Sequence, residues 1–113
     1  MKARLPEGYG KQSINAMMKQ AQKMQEDMAA MQEELKTREY RGTSGGDMVE
    51  AVVNGDYEVL SVTVKPEVID PEDAEMLGDL VTAAVNSAIK VAKDDSQKEI
   101  DRITGGADMM GLL

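Results

Sequence analysis

The chain contains no cysteine, no histidine, no tryptophan and no phenylalanine, and its only aromatic residues are Tyr9, Tyr40 and Tyr57. Without cysteine there is no disulfide framework, no thiol nucleophile and no thiolate metal site. The absence of histidine also removes the common zinc sites, the usual general base near neutral pH and the Ser-His and Cys-His nucleophile pairs. An enzyme would have to run on carboxylates, lysine and tyrosine, and no spacing of these marks a catalytic pocket. The chain is therefore read as non-enzymatic, with no cofactor, no metal and no small-molecule substrate. No apolar run reaches the length of a membrane helix, and Lys2 and Arg4 near the start are not followed by an apolar stretch. Neither a membrane span nor a secretory signal is expected, and the location read from this is cytoplasmic.

Scarce aromatics also limit the core, because Val, Leu, Ile, Met and Ala each bury less surface than an aromatic anchor. A chain of 113 residues fits one domain with a modest core. Self-association would supply further burial.

The organising stretch is residues 14–35. Ile14, Met17, Ala21, Met24, Met28, Met31 and Leu35 recur at three-four spacing, with Gln, Lys, Glu and Asp filling most other positions. This predicts an amphipathic helix whose seam packs either on its own domain's core or in a short coiled coil. Methionine fills irregular gaps and so does not choose between these surfaces. Ser13 is the natural N-cap, residues 1–12 form a flexible arm, and the helix should stop near residues 36–38. Lys23 with Asp27 and Glu34 with Arg38 are i,i+4 pairs.

Residues 40–43 suit a short strand, followed by the flexible Thr43-Ser44-Gly45-Gly46. This glycine-rich connection lacks the Lys-Ser/Thr that would make a phosphate loop. Asn54-Gly55 lies between two valine-rich runs and predicts a two-residue type I′ hairpin. That turn would set Val49 opposite Leu60, Ala51 opposite Glu58 and Val53 opposite Asp56. One face would carry Val49, Ala51, Val53, Leu60, Val62 and Val64; the mixed opposite face calls for partial cover, most simply by a second protomer. Asp70-Pro71-Glu72-Asp73 reads as a capped helix start with Asp70 as the cap and Pro71 at the first helical position, and not as a metal cluster. Leu77, Leu80, Val81, Ala84, Ala88, Val91 and Ala92 then mark a long helix running sparsely through Ile100 and Ile103 to Gly105-Gly106. Its alanines allow close approach to a sheet. Residues 105–113 are expected to form a flexible tail.

The resulting order is helix, three short strands, helix, an α+β protomer with a three-stranded antiparallel sheet between two long helices. Together with Met18-Lys-Gln-Ala-Gln-Lys-Met-Gln-Glu, Gly45-Gly46 before Met48-Val49, Val53-Asn54-Gly55, Val62-Thr-Val-Lys-Pro-Glu-Val-Ile-Asp-Pro and Glu75-Met-Leu-Gly-Asp-Leu-Val-Thr-Ala-Ala-Val-Asn, this order resembles the YbaB/EbfC family of bacterial nucleoid-associated proteins. The resemblance runs from about residue 14 to 106. It implies an αβββα protomer in a tweezer-like homodimer, binding of duplex DNA with little simple sequence rule, and a role in nucleoid organisation and gene expression. Residues 2–10 and 108–113 give no firm correspondence.

Net charge opposes that reading in bulk and supports it in distribution. The formal charge is −8, from 13 basic and 21 acidic residues. Yet Lys2, Arg4, Lys11, Lys19 and Lys23 face only Glu7 in the first 23 residues, and Lys36, Arg38 and Arg41 cluster where the first helix ends. These eight are the candidate phosphate contacts, with the acidic remainder pointing away. Without Phe, Trp or His, recognition of single strands by stacking is disfavoured. Few basic residues predict weak, salt-sensitive binding. The alternative is a protein-interaction module that docks partner helices on the methionine seam without direct DNA contact.

Overall fold

The computed structural model describes residues 9–105, and side chains from Ser13 onward. Helix α1 spans Tyr9–Leu35, strands β1, β2 and β3 span Glu39–Ser44, Val49–Asn54 and Val59–Val64, a single 3-10 turn covers Pro66–Val68, and helix α2 spans Ala74–Ile103. The strands form one antiparallel sheet in the order β1-β2-β3. This is the expected α+β, αβββα arrangement. Lys2, Arg4 and most of the proposed arm lie outside the described residues, as does the proposed tail after Gly105.

The core lies between α2 and the first two strands. Tyr40, Val49, Ala51 and Val53 from the sheet meet Ala84, Ala88 and Ala92 from the helix, all buried, with Leu80, Val81, Val85 and Ile89 packed around them. Ala84, Ala88 and Ala92 repeat every four residues and so form one small-residue stripe. That stripe lets α2 descend onto β1 at Gly42, where an ideal Cβ would lie 2.3 Å from the Ala88 nitrogen and 2.4 Å from the Ala84 carbonyl oxygen. The expected close approach of helix and sheet therefore occurs at backbone contact. Val91, placed on the apolar line by sequence, is 44% exposed, while Val85 and Ile89 take its place beside the stripe.

Three local expectations are corrected. The first concerns the start of α1, which begins at Tyr9 and runs through Gly10 and Ser13, so Ser13 is inside the helix and is not its cap. The second is the hairpin. Val49 pairs with Val64, Ala51 with Val62 and Val53 with Val59, with a bulge at Val52/Val53. Asn54 does not sit in a type I′ turn. Its Oδ1 accepts the N–H groups of Asp56 and Glu58 at 2.9 and 3.0 Å, and its Nδ2 donates to Glu58 Oε1 at 2.7 Å, closing a four-residue loop from Gly55 to Glu58. Before the bulge the slip from the predicted register is four residues, an even number, so Val62 and Val64 keep the predicted face; at Val53, beyond the bulge, it is three. The third is the α2 start. Asp73 is the cap, its Oδ1 accepting from the Met76 N–H at 3.1 Å, whereas Asp70 accepts from the Glu72 N–H and organises the turn before it. The shared physics is that Asx side chains compete for nearby backbone N–H groups, and sequence alone does not say which wins.

α2 covers β1 and β2 and barely reaches β3. Val59, Leu60 and Val62 remain 49%, 49% and 39% exposed. The seam of α1 is likewise used only at its end: Met31 and Leu35 are buried, Met24 and Met28 half-buried, while Ile14 and Met17 are 56% and 66% exposed. A single protomer thus leaves two apolar surfaces uncovered.

Candidate nucleic-acid interface

The eight basic residues singled out from sequence fall into three settings. Lys2 and Arg4 lie outside the described residues, and Lys11 lies in the first turns of α1. Lys19 and Lys23 are exposed on α1 before its buried residues Met31 and Leu35, and Lys23 borders a shallow pocket that Met31 shares with Arg102 and Ile103 at the end of α2. At about 100° per residue, these two lysines sit roughly 150° around the helix from the methionine seam. The seam and the lysine face are therefore separate surfaces, and covering one leaves the other open. Lys23 pairs with Asp27 at 3.2 Å, as the i,i+4 spacing predicted, with its side chain 76% exposed. Lys19 makes no ion pair among the described residues. Exposed pairs of this kind contribute little and yield readily to phosphate.

Lys36 and Arg41 are exposed but partnered. Lys36 Nζ lies 3.3 Å from Glu33, and Arg41 reaches Glu50 across the β1-β2 ladder at 3.0 Å.

Arg38 is in a different setting. Its Nη1 donates to Asp95 Oδ2 at 2.8 Å and Glu99 Oε2 at 2.9 Å, and its Nη2 donates to Glu34 Oε1 at 2.5 Å. The Tyr40 hydroxyl donates to the same Asp95 oxygen at 2.5 Å, and Arg102 Nε donates to Glu99 at 2.9 Å. The Tyr40 hydroxyl and Arg38 together hold the Asp95 carboxyl below its ordinary range, and Arg38 with Arg102 does the same for Glu99. Burial, then the hydrogen bond to Asp95, pushes the Tyr40 phenol up to about 12. Hydrogen bonds donated to Glu34, Asp95 and Glu99 raise the Arg38 guanidinium further above its already high value.

Sequence reasoning found the Glu34 pair and missed the rest of this cluster. Asp95 and Glu99 stand one turn apart on α2, a spacing that fits two carboxylates to one guanidinium, but nothing in the sequence says that Arg38 lies opposite them. Among the described residues no group of three or more acidic side chains forms a metal site, and no helix is long and apolar enough to cross a membrane.

Comparison with known proteins places this arrangement. The family model described as the YbaB/EbfC DNA-binding family matches residues 10–107. A nucleoid-associated protein of Clostridium kluyveri is 46% identical over 108 residues, covering 96% of this chain and 95% of the relative. One from Caldanaerobacter subterraneus subsp. tengcongensis is 49% identical over 112 residues, covering 99% and 98%. The crystal structure of an uncharacterized protein from Helicobacter pylori matches with a TM-score of 0.58 at 22% identity, over 69% of this chain and 90% of that one, a likeness of fold.

Proposed function

The chain belongs to the YbaB/EbfC DNA-binding family, and from that premise we propose that it is a non-catalytic protein of the nucleoid that binds duplex DNA as a homodimer, largely through phosphate contacts. The observation that carries this reading is the placement of Lys19 and Lys23. They are exposed on α1 before its buried end, on a face separate from the apolar seam, with Lys23 beside the end of α2 and Lys19 one turn beyond it, while the chain after Gly46 is strongly acidic. Such segregation lets an acidic protein present a local positive surface to phosphate. Phosphate contacts carry no base identity, so binding follows shape and charge more than sequence. The exposed apolar residues of β3 and of the α1 seam favour a second copy as the cover for at least one of these surfaces.

Fluorescence anisotropy on a random-sequence duplex across a salt series tests this reading. A linear loss of affinity on a log-log plot supports direct phosphate contact, and its slope bounds the number of cations engaged. Lack of binding even at low salt would transfer the assignment to the second reading, docking of a partner helix on the methionine seam, which the 56% and 66% exposure of its residues Ile14 and Met17 favours.

A further inference from the structure

Arg38 joins three elements at the point where α1 leaves the core. It follows α1 and precedes β1, and its guanidinium holds Glu34 of α1 and Asp95 and Glu99 of α2, while Tyr40 of β1 shares Asp95. We propose that Arg38 is a positioning residue for DNA binding: it fixes the angle at which α1 projects, and thereby the placement of Lys19 and Lys23, without itself touching phosphate. This rests on the DNA-binding reading above.

The local chemistry disfavours a phosphate contact. Three carboxylates already occupy the donor fork, and an approaching phosphate would meet their excess negative charge first. Freeing the guanidinium would leave Asp95, 26% exposed, with only the Tyr40 hydroxyl and Glu99, 15% exposed, with only Arg102, and a partly buried carboxylate that loses its cation is costly. Lys19 and Lys23 carry no such obligation.

Geometry supplies the positioning role. Among the described side chains of α1 only Met31 and Leu35 are buried, so apolar packing grips the helix over a short length near its end. The backbone bond from the Gly55 N–H to the Leu35 carbonyl, at 2.9 Å, is a pivot at that same end. The Arg38 cluster is the polar brace that stops rotation about it. Lys19 lies 16 residues before Leu35, about 24 Å along the helix at 1.5 Å per residue. A tilt of about 15° at the root moves Lys19 by roughly 6 Å, more than the 3.4 Å rise between phosphates along one strand. A small change at Arg38 is thus enough to misplace the lysines on the duplex.

The test uses the full chain and two variants with opposite effects on charge. Arg38→Met removes the brace and a positive charge. The double variant Asp95→Asn, Glu99→Gln removes the brace, leaves Arg38 in place and makes the chain less acidic. Glu75→Gln with Asp79→Asn removes the same charge from exposed positions elsewhere on α2 and serves as the control. Because the chain lacks cysteine, spin labels at Gln22→Cys and Lys90→Cys report the α1–α2 distance in each background. The expected result is a broadened distance distribution in both brace variants and about tenfold weaker binding, relative to the charge-matched control for Asp95→Asn, Glu99→Gln and to wild type for Arg38→Met, with the salt slope unchanged. Circular dichroism confirms that the helices and sheet persist. Tighter binding by the Asp95→Asn, Glu99→Gln variant, with a reduced salt slope for Arg38→Met, would show Arg38 to be a phosphate contact and overturn the proposal. An unchanged distance distribution would overturn it as well. If wild-type protein binds no DNA, the DNA-binding reading and this proposal's functional half fall together, and the distance measurement still decides whether Arg38 braces α1.

Discussion

Gly42 of β1 lies so close to Ala88 of α2 that a methyl group on the strand would sit 2.3 Å from the helix nitrogen. The contact is backbone against backbone, so no rotamer change relieves it. Gly42→Ala should therefore cost about 3 kcal/mol or more and lower the melting temperature by roughly 10 °C or more. Gly78, on the exposed side of α2, has nothing within 4 Å of its would-be Cβ. There the same substitution should stabilise the protein by about 0.5 to 1 kcal/mol, through helix propensity. Thermal denaturation of the two variants should move in opposite directions.

Gly55 carries a related constraint at the root of α1. An ideal Cβ there would lie 2.2 Å from the Leu35 carbonyl oxygen, the acceptor of the Gly55 N–H. Gly55→Ala is expected to push the hairpin off the helix end and loosen α1 more than the sheet. Hydrogen exchange should then speed up at Gly55 and in the last turn of α1 first.

The Arg38 cluster sets a pH window. Asp95 and Glu99 are held below their ordinary range by Tyr40, Arg38 and Arg102. Their contribution is present above the unfolded carboxylate pKa of about 4 and is lost as pH falls through their lower folded values. Tyr40 acts at the other limit: raised to about 12 from 10.0, its contribution is complete below pH 10 and is lost as pH rises toward 12. Denaturant titrations should show a plateau between about pH 5 and 9. Arg38→Met should flatten the acid limb, and Tyr40→Phe should reduce the alkaline limb.

Two capping expectations separate cleanly. Asp73→Ala removes the acceptor for the Met76 N–H and should cost about 1 kcal/mol. Asp70→Ala, which disturbs only the preceding turn, should cost less. Urea midpoints of the two variants rank them.

For DNA, Lys19→Glu with Lys23→Glu should weaken binding at low salt and lower the salt slope by about two per protomer. Lys36→Glu, a single charge change just past the end of α1 and away from the Lys19–Lys23 face, should have the smaller effect.

The elements that could be read from the sequence were those whose evidence is periodic. The three-four spacing of Ile14 to Leu35, the valine alternation around Asn54-Gly55 and the alanine-rich line of α2 each repeat often enough to specify an element and its inner face. Caps and register were less legible because they depend on single competitions: Asn54 side chain against a tight turn, Asp73 against Asp70 for one N–H, continuation of α1 through Ser13 against a cap there. The candidate site divides in the same way. Glu34 with Arg38 was visible as an i,i+4 pair, but Asp95 and Glu99 lie some sixty residues further along and enter only when α2 folds back on β1.

The sequence by itself determined the order of elements, the excluded chemistries, the segregation of positive charge toward the first helix and the family, because all of these follow from residue types and local spacing. Tertiary structure alone decided which basic residues are exposed and which are bound. Arg38 reads like Lys19 in a sequence, and becomes a brace only because the fold brings two carboxylates of α2 within hydrogen-bonding distance of its guanidinium.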